Sequence, residues 1–243
     1  MKISLCIPMY NESGIIDATL RTVSEYMKKT FGNRDGYDYE VIFSDDGSTD
    51  GCRAKVESFG DDHIRTVGYE KNRGKGCAIR TRVLAAEGNI VIFTDCDLAY
   101  GLDVVAEAVE RFEKDPEADI IIGSRNLSKD GYEGYTLLRK IASKTYIKCL
   151  ALAAGFRLSD SQCGFKCFRR ETARKIFSTC EVDGFAFDFE ALIKAKNMGA
   201  VIREMPVKVI NHRASKVNVF RDSLKMLRDV RGIKKRNRLA KDR

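Results

Sequence analysis

Asn89-Ile90-Val91-Ile92-Phe93-Thr94-Asp95-Cys96-Asp97 is the stretch on which the reading of this chain turns. Its first six residues form a short apolar run of the kind that makes a buried strand. Two carboxylates then stand one residue apart where that strand runs out into a loop. In open α/β sheets, ligands bind at the carboxyl ends of strands. Two acids so close repel each other unless a cation lies between them. Hard oxygen donors suit Mg²⁺ or Mn²⁺, ions that commonly bridge a carboxylate and a diphosphate. The stretch therefore points to a metal-dependent site for a nucleotide diphosphate, although a D-x-D taken alone is more often a solvated acidic turn.

Working outward, strand-like and helix-like segments alternate. Ile3–Pro8, Glu40–Ser44, Ile64–Tyr69, Ile90–Thr94 and Ile120–Gly123 read as strands, and Glu12–Lys29, Lys75–Ala86 and Val104–Phe112 as helices with apolar residues on one face. This order predicts an α/β fold, a mostly parallel sheet flanked by helices, through about residue 125. Beyond it, Asn126–Tyr135 is polar and contains two glycines, as in a loop. Leu137–Phe156 is predicted as a helix whose end, Tyr146–Phe156, is apolar almost all round, which suits a core helix or an interfacial one. Phe165–Phe168, Phe187–Lys196, Val201–Met205 and Val207–Ile210 supply further strands and helices. Val219–Ile233 is amphipathic, with Phe220, Leu224, Leu227, Val230 and Ile233 on one face and basic residues on the other.

The 243 residues, 44% hydrophobic and 32% charged, suffice for one sizeable domain with or without an appendage. No apolar run approaches the roughly 20 residues of a membrane span. Met1-Lys2 leads straight into the first strand, so no signal peptide is expected. The eight cysteines include no C-x-x-C, and only His63 and His212 could complete a zinc site with Cys163 and Cys167. Reduced, structural thiols in a cytosolic protein are the expectation. The net charge of +8 is concentrated in residues 221–243, which hold ten Lys and Arg against three Asp. Such an arm suits an anionic surface, or is simply a solvated tail. Without an aromatic-rich platform beside it, nucleic acid is not an expected partner.

Several motifs close the predicted strands. Pro8-Met9-Tyr10-Asn11-Glu12 ends the first and leads into a helix N-terminus, where anions bind. Tyr10 can stack on a base and Glu12 can accept a hydrogen bond from ribose or base, or serve as a first-turn acid. Asp45-Asp46-Gly47-Ser48-Thr49-Asp50 ends the second, with Gly47 at a tight turn and Ser48 or Thr49 as helix cap. Asp45 and Asp46 are not needed for capping and can face a nucleoside. Asn72-Arg73-Gly74-Lys75-Gly76 follows the third strand. It lacks the P-loop pattern, and no G-x-G-x-x-G follows the first strand, so a dinucleotide cofactor is not expected. Gly74 and Gly76 suggest close backbone approach, with Lys75 a point charge for phosphate. Gly123-Ser124-Arg125 closes the fifth strand, and Arg139 and Ser143 lie four apart on one helix face. Arginine is the better fork for phosphate, and salt bridging is its ordinary alternative. Asp160-Ser161-Gln162-Cys163-Gly164-Phe165-Lys166 is a polar turn entering a strand.

P-x-Y-N-E, D-D-G-S-T-D, N-x-G-K-G, D-x-D, G-S-R, D-x-Q-C-G-F-K and Ser215-Lys216-Val217 occur in that order. Together they resemble the inverting family 2 glycosyltransferases of GT-A fold, and among them the polyprenyl-phosphate (dolichyl-phosphate) sugar transferases. The Asp160–Lys166 turn and Phe185–Glu190 are more similar to the glucosyl than to the mannosyl branch. The resemblance implies a Rossmann-like, mostly parallel sheet with C-terminal acceptor-side helices. It implies a domain over residues 1–217, with a nucleotide half to about 125 and an acceptor half beyond, and a basic tail over 218–243. Pro8, Tyr10, Glu12, Asp45 and Asp46 would hold the nucleoside, with Lys75 near nucleotide or sugar. Asp95 and Asp97 would bind the sugar nucleotide and its Mg²⁺ or Mn²⁺. Arg125, Arg139 and Ser143 would receive the lipid phosphate, and Lys216 with Arg213 would clamp the diphosphate. Some mannosyl-type relatives carry a glutamine ligand where this chain has Ala99, which leaves UDP-glucose favoured over GDP-mannose only by branch. The membrane span of many relatives is missing, which leaves the interfacial helix and tail to hold an anionic membrane from its cytoplasmic face.

The implied reaction is inverting transfer of a hexose to polyprenyl phosphate. That acceptor is already anionic and needs no base. A family 2 enzyme acting on a glycan or polymer hydroxyl would need one, such as Asp188 or Asp160. A sugar-nucleotide-binding protein without turnover is the alternative of another class.

Overall fold

The computed structural model describes residues 1–133, 158–184 and 186–211, together with Asp229, Val230, Gly232, Ile233, Lys235 and Arg236. Its strands are β1 (Lys2–Met9), β2 (Asp38–Asp46), β3 (Ile64–Tyr69), β4 (Ile90–Phe93), β5 (Ile120–Ser124), β6 (Lys166–Arg169) and β7 (Ile202–Pro206). Its helices are α1 (Ile16–Met27), α2 (Cys52–Glu57), α3 (Lys75–Ala85), α4 (Asp103–Lys114), α5 (Arg170–Phe177) and α6 (Phe187–Asn197). The strands form one sheet in the order β3-β2-β1-β4-β6-β5-β7. All contacts are parallel except those of β6, which runs antiparallel to both β4 and β5.

The order β3-β2-β1-β4 is one half of a doubly wound sheet, and the chain reverses direction across the sheet between β1 and β4. That reversal opens a crevice at the carboxyl ends of those two strands. Pro8–Glu12 leaves β1 and Asp95–Asp97 leaves β4 at this place, with Met9 level with Asp45 on β2.

The central strands are buried on both faces, as continuous apolar runs require. Ile3, Leu5, Ile7, Val41, Phe43, Ile90, Ile92 and Ile121 pack under α1 and α4. Cys6, Ile42, Val91, Phe93, Ile120, Ile122 and Phe168 pack under α3, α5 and α6. The alternation along each strand is the period-two pleat. The cysteines among the described residues are free and buried, and burial pushes the Cys6 and Cys96 thiols up to about 12.

Two expectations change. The first helix starts at Ile16 rather than Glu12, because Asn11 takes a positive φ of 53° and the Glu12 carbonyl accepts the Ile15 and Ile16 amides in a turn. Glu12 is therefore not a first-turn acid. Val207–Ile210 is not a strand: Val207 N–H bonds Ser124 and Ile210 N–H bonds Ala99, so the segment bridges two loops instead of extending a ladder. The helix predicted over Leu137–Phe156 and most of the one over Val219–Ile233 lie outside the described residues. No helix among the described residues is long and apolar enough to cross a membrane.

Candidate functional site

The crevice wall on the β1–β2 side is built by side chains bonding neighbouring loops. Asn11 donates its amide to Ser48 Oγ (3.0 Å) and accepts the Thr49 amide on its side chain (2.9 Å). Asp45 accepts the Ser48 amide within its own turn (3.1 Å). Asp50 accepts the amides of Ser13 (2.7 Å) and Cys52 (3.1 Å). Burial works to raise the Asp50 pKa, but these bonds outweigh it and hold the carboxyl at about 2. The expected cap by Ser48 or Thr49 is not formed. Gly51, at φ +82°, precedes α2, and Asp50 takes the first helical amide instead. Tyr10 is exposed at the mouth, and Pro8 and Glu12 are half-buried behind it.

Asp46 is buried and its carboxylate serves the loop after β3. It accepts from Tyr69 Oη (2.7 Å), Asn72 Nδ2 (2.9 Å) and the amides of Arg73 (2.8 Å) and Gly74 (3.0 Å). Its role here is to shape that loop. The two glycines of the loop also differ from expectation. A Cβ on Gly74 would lie 2.5 Å from the Asp183 carbonyl, and one on Gly76 would lie 2.3 Å from that of Val182. They admit another stretch of this chain rather than a ligand, and Gly76 N–H bonds the Asp183 carbonyl at 2.8 Å.

Between those glycines, Lys75 begins α3 and places Nζ 2.6 Å from Asp95 Oδ1, the side chains being 31% and 30% exposed. Burial opposes the ammonium charge, but Asp95 outweighs it and raises the Lys75 pKa. Asp97 accepts the Ala99 amide (3.1 Å), and Leu98 turns the chain with a positive φ of 50°. Thr19 of α1 donates to the Cys96 carbonyl (2.9 Å), and Asn211 donates to those of Asp97 (3.1 Å) and Leu98 (3.2 Å). The D-x-D loop is thus held from both sides. Gly164 makes room for it, since a Cβ there would lie 2.2 Å from Asp95 Oδ2.

Lys166 pairs in register with Phe93, so its fully buried side chain rises on the α3–α6 face beside the Phe93 ring. Its Nζ donates to the Cys163 carbonyl (2.5 Å) and lies 2.8 Å from Asp188 in the first turn of α6. Burial raises the Asp188 pKa, with Lys166 and Lys75 pulling the other way. Arg82 is fully buried near the Phe93 ring (5.8 Å), and no guanidinium nitrogen has a hydrogen-bond partner. Burial lowers its pKa to about 10. Three cations, Lys75, Arg82 and Lys166, therefore back two carboxylates, Asp95 and Asp188, and the surplus is positive. The sequence placed Lys166 in a motif without a role and did not mark Arg82. The available signal was a single charge inside the apolar run Phe165–Phe168 and an arginine on the buried face of α3.

On the far side, Arg125 grips Asp160 with Nε (2.6 Å), Nη2 (2.8 Å) and its own amide (3.1 Å). The side chains are 9% and 0% exposed. Burial opposes the Arg125 charge, but Asp160 outweighs it and its pKa stands well above the usual value. The Nε–Nη2 edge expected to meet a phosphate is thus occupied by a carboxylate. Arg139, Ser143, Arg213 and Lys216 lie outside the described residues.

Residues 4–177 match the family model described as glycosyl transferase family 2. The chain is 32% identical to a dolichyl-phosphate beta-glucosyltransferase of Homo sapiens, covering 94% of this chain and 74% of that one. It is 31% identical to the same-named protein of Drosophila melanogaster, covering 95% and 73%. Among solved structures it resembles glucosyl-3-phosphoglycerate synthase from Mycobacterium tuberculosis in complex with Mn²⁺, UDP and phosphoglyceric acid (TM-score 0.68, 22% identity, 96% and 76% covered). It also resembles mannosyl-3-phosphoglycerate synthase from Rubrobacter xylanophilus (TM-score 0.65, 18% identity, 100% and 76% covered). These likenesses establish the expected GT-A fold.

Proposed function

The chain belongs to glycosyl transferase family 2, and from that premise we propose that it transfers a hexose, glucose from UDP-glucose, to a polyprenyl or dolichyl phosphate with inversion. The acceptor class rests on the relatives named dolichyl-phosphate beta-glucosyltransferase. The observation that carries the donor site is the Lys75–Asp95 pair beside Asp97 at the β1–β4 crevice.

The donor set fits a divalent ion. Asp95 and Asp97 offer hard oxygens, and no group of three or more His, Cys, Asp or Glu among the described residues is placed to hold a metal alone. The remaining ligand positions of Mg²⁺ or Mn²⁺ suit water and diphosphate oxygens. When bound, the ion neutralises charge on the departing diphosphate. This chain's own share is positional and electrostatic. Tyr10 stacks on the base, while Glu12 and Asp45 face the nucleoside and Asp46 holds the loop beneath it. Lys75, with Arg82 and Lys166 behind it, keeps the crevice positive where diphosphate charge grows. Arg213 and Lys216 clamp that diphosphate. Arg139 and Ser143 attract the acceptor phosphate, which attacks the anomeric carbon as an anion without a base, and Arg125, its Nε–Nη2 edge held by Asp160, shapes the wall on that side. Asp188, paired with Lys166, supports the charge balance.

The basic C-terminal residues and the apolar stretch Tyr146–Phe156 hold the enzyme on the cytoplasmic face of an anionic membrane. Each Lys or Arg near such a surface contributes about 1 kcal/mol, and salt weakens it.

The test is radiolabelled transfer from UDP-glucose to a short polyprenyl phosphate, with Mg²⁺ or Mn²⁺ and with chelator. Metal-dependent label in the organic phase is expected. Label only on a glycan acceptor, or nucleotide release without lipid product, would reject the lipid-phosphate reading and keep the family.

A further inference from the structure

The basic C-terminal stretch reads in the sequence as an appendage, yet its described residues are docked on the back of the donor site. Val230 and Ile233, 5% and 1% exposed, enter an apolar cluster with Val182, Ala186, Phe189 and Ile193. Arg236 reaches Glu181 (3.2 Å) and the buried Glu190 (3.6 Å). The other oxygen of Glu190 accepts the amides of Glu181 (3.0 Å) and Val182 (2.8 Å), so one carboxylate joins the C-terminal stretch to the backbone of the next loop.

That loop abuts the donor loop with no slack. The Asp183 carbonyl accepts the Gly76 amide (2.8 Å), and its side chain pairs with Arg80 (2.5 Å). Gly74 and Gly76 touch the Asp183 and Val182 carbonyls so closely that not even a methyl group fits. Packed interfaces transmit displacement because they have no free volume to absorb it. Lys75, held between those glycines, carries the ammonium that meets Asp95 at 2.6 Å.

We infer that Ile233 and Arg236 are positioning residues for the donor loop, acting through Glu190 and residues 181–184 on Gly74-Lys75-Gly76. The inference rests on the proposed function only in taking that loop as the donor site. It means that the same stretch that carries the basic residues also sets the geometry of nucleotide binding.

The experiment compares the wild-type chain with Arg236→Glu, Ile233→Ala and the charge-exchanged pair Glu181→Arg/Arg236→Glu. Hydrogen exchange is read over residues 73–80, and UDP affinity in the presence of Mn²⁺ by calorimetry. Arg236→Glu and Ile233→Ala are expected to speed exchange over 73–80 while β1 and β2 stay protected, and to weaken UDP binding about threefold to tenfold. The exchanged pair restores the contact with residue 181 but leaves an acid facing the buried Glu190, so partial recovery of both is expected, while continued protection of β1 and β2 separates the effect from a general loss of stability. Unchanged exchange over 73–80 in the two single variants overturns the inference. So does faster exchange with UDP affinity within twofold of wild type. Should Ile233→Ala not fold, the surface pair decides alone. A wild-type chain without UDP affinity would reject the donor reading, while the exchange data would still judge the contact between the two loops.

Discussion

Two ion pairs stand at the carboxyl edge of this sheet and differ in what surrounds them. Lys75–Asp95 is a single contact at 2.6 Å with both side chains about a third exposed. Arg125–Asp160 is bidentate, reinforced by a backbone amide, and almost wholly out of water. An exposed pair is weak and exchangeable, because water and other ions can replace either partner. A buried pair is costly to form and costlier to break, because the survivor is left charged in a low dielectric. The first pair can therefore yield Asp95 to an incoming cation and Lys75 to an incoming anion. The second fixes the turn before β6 against the end of β5.

The contrast can be broken in several ways. Asp97→Asn, and separately Asp95→Asn, are expected to cost on the order of 10² to 10³ in kcat with the melting temperature unchanged. A fall in stability that tracked the loss of activity would make this pair structural after all. Asp160→Asn is expected to cost about 3–5 kcal/mol of folding stability, since Arg125 would lose its buried counter-charge. Urea unfolding measures this, and a loss below 1 kcal/mol on the same scale would mean that water reaches the pair. Gly164→Ala puts a methyl group against Asp95 and is expected to cost about 1–3 kcal/mol, with activity falling more steeply than in a control at Gly14, where a Cβ meets nothing. The smallest effect is expected at Asp50. Its folded pKa of about 2 lies below the ordinary 3.8, so its contribution is complete above pH 3.8 and is lost as pH falls through about 2. Asp50→Asn should be less stable than wild type at pH 7, with the gap closing as pH falls from 4 to 2, as denaturation midpoints across that range measure.

The residues of the open pair were legible in the sequence, and those of the closed pair were only half so. A run such as Ile90–Phe93 followed by Asp95 and Asp97 announces both strand and tip, because alternation of burial and polarity is a local property. Arg125 also closes a recognisable strand, but its hold on Asp160 joins residues 35 apart and no local pattern carries it. The glycines at 74 and 76 show the same limit. Their need for close approach was readable, yet what approaches is the chain's own residues 182–184. Asp46 was read as a ligand-facing acid, and its carboxylate accepts from Tyr69 at the end of β3 and from Asn72, Arg73 and Gly74 in the loop that follows.

By itself the sequence determined the α/β alternation, the places where strands end, and the order of motifs that marks the family. These follow from propensity, hydrophobic period and residue type, which act over a few residues. Only the tertiary structure decided that β6 runs antiparallel between β4 and β5, bringing Lys166 beside Phe93 and under Asp188. It alone decided that Arg82 is buried without a hydrogen-bond partner and that Arg236 meets the buried Glu190. Those outcomes depend on which distant segments share a low-dielectric interior, where charge and contact are set by packing rather than by neighbours in sequence.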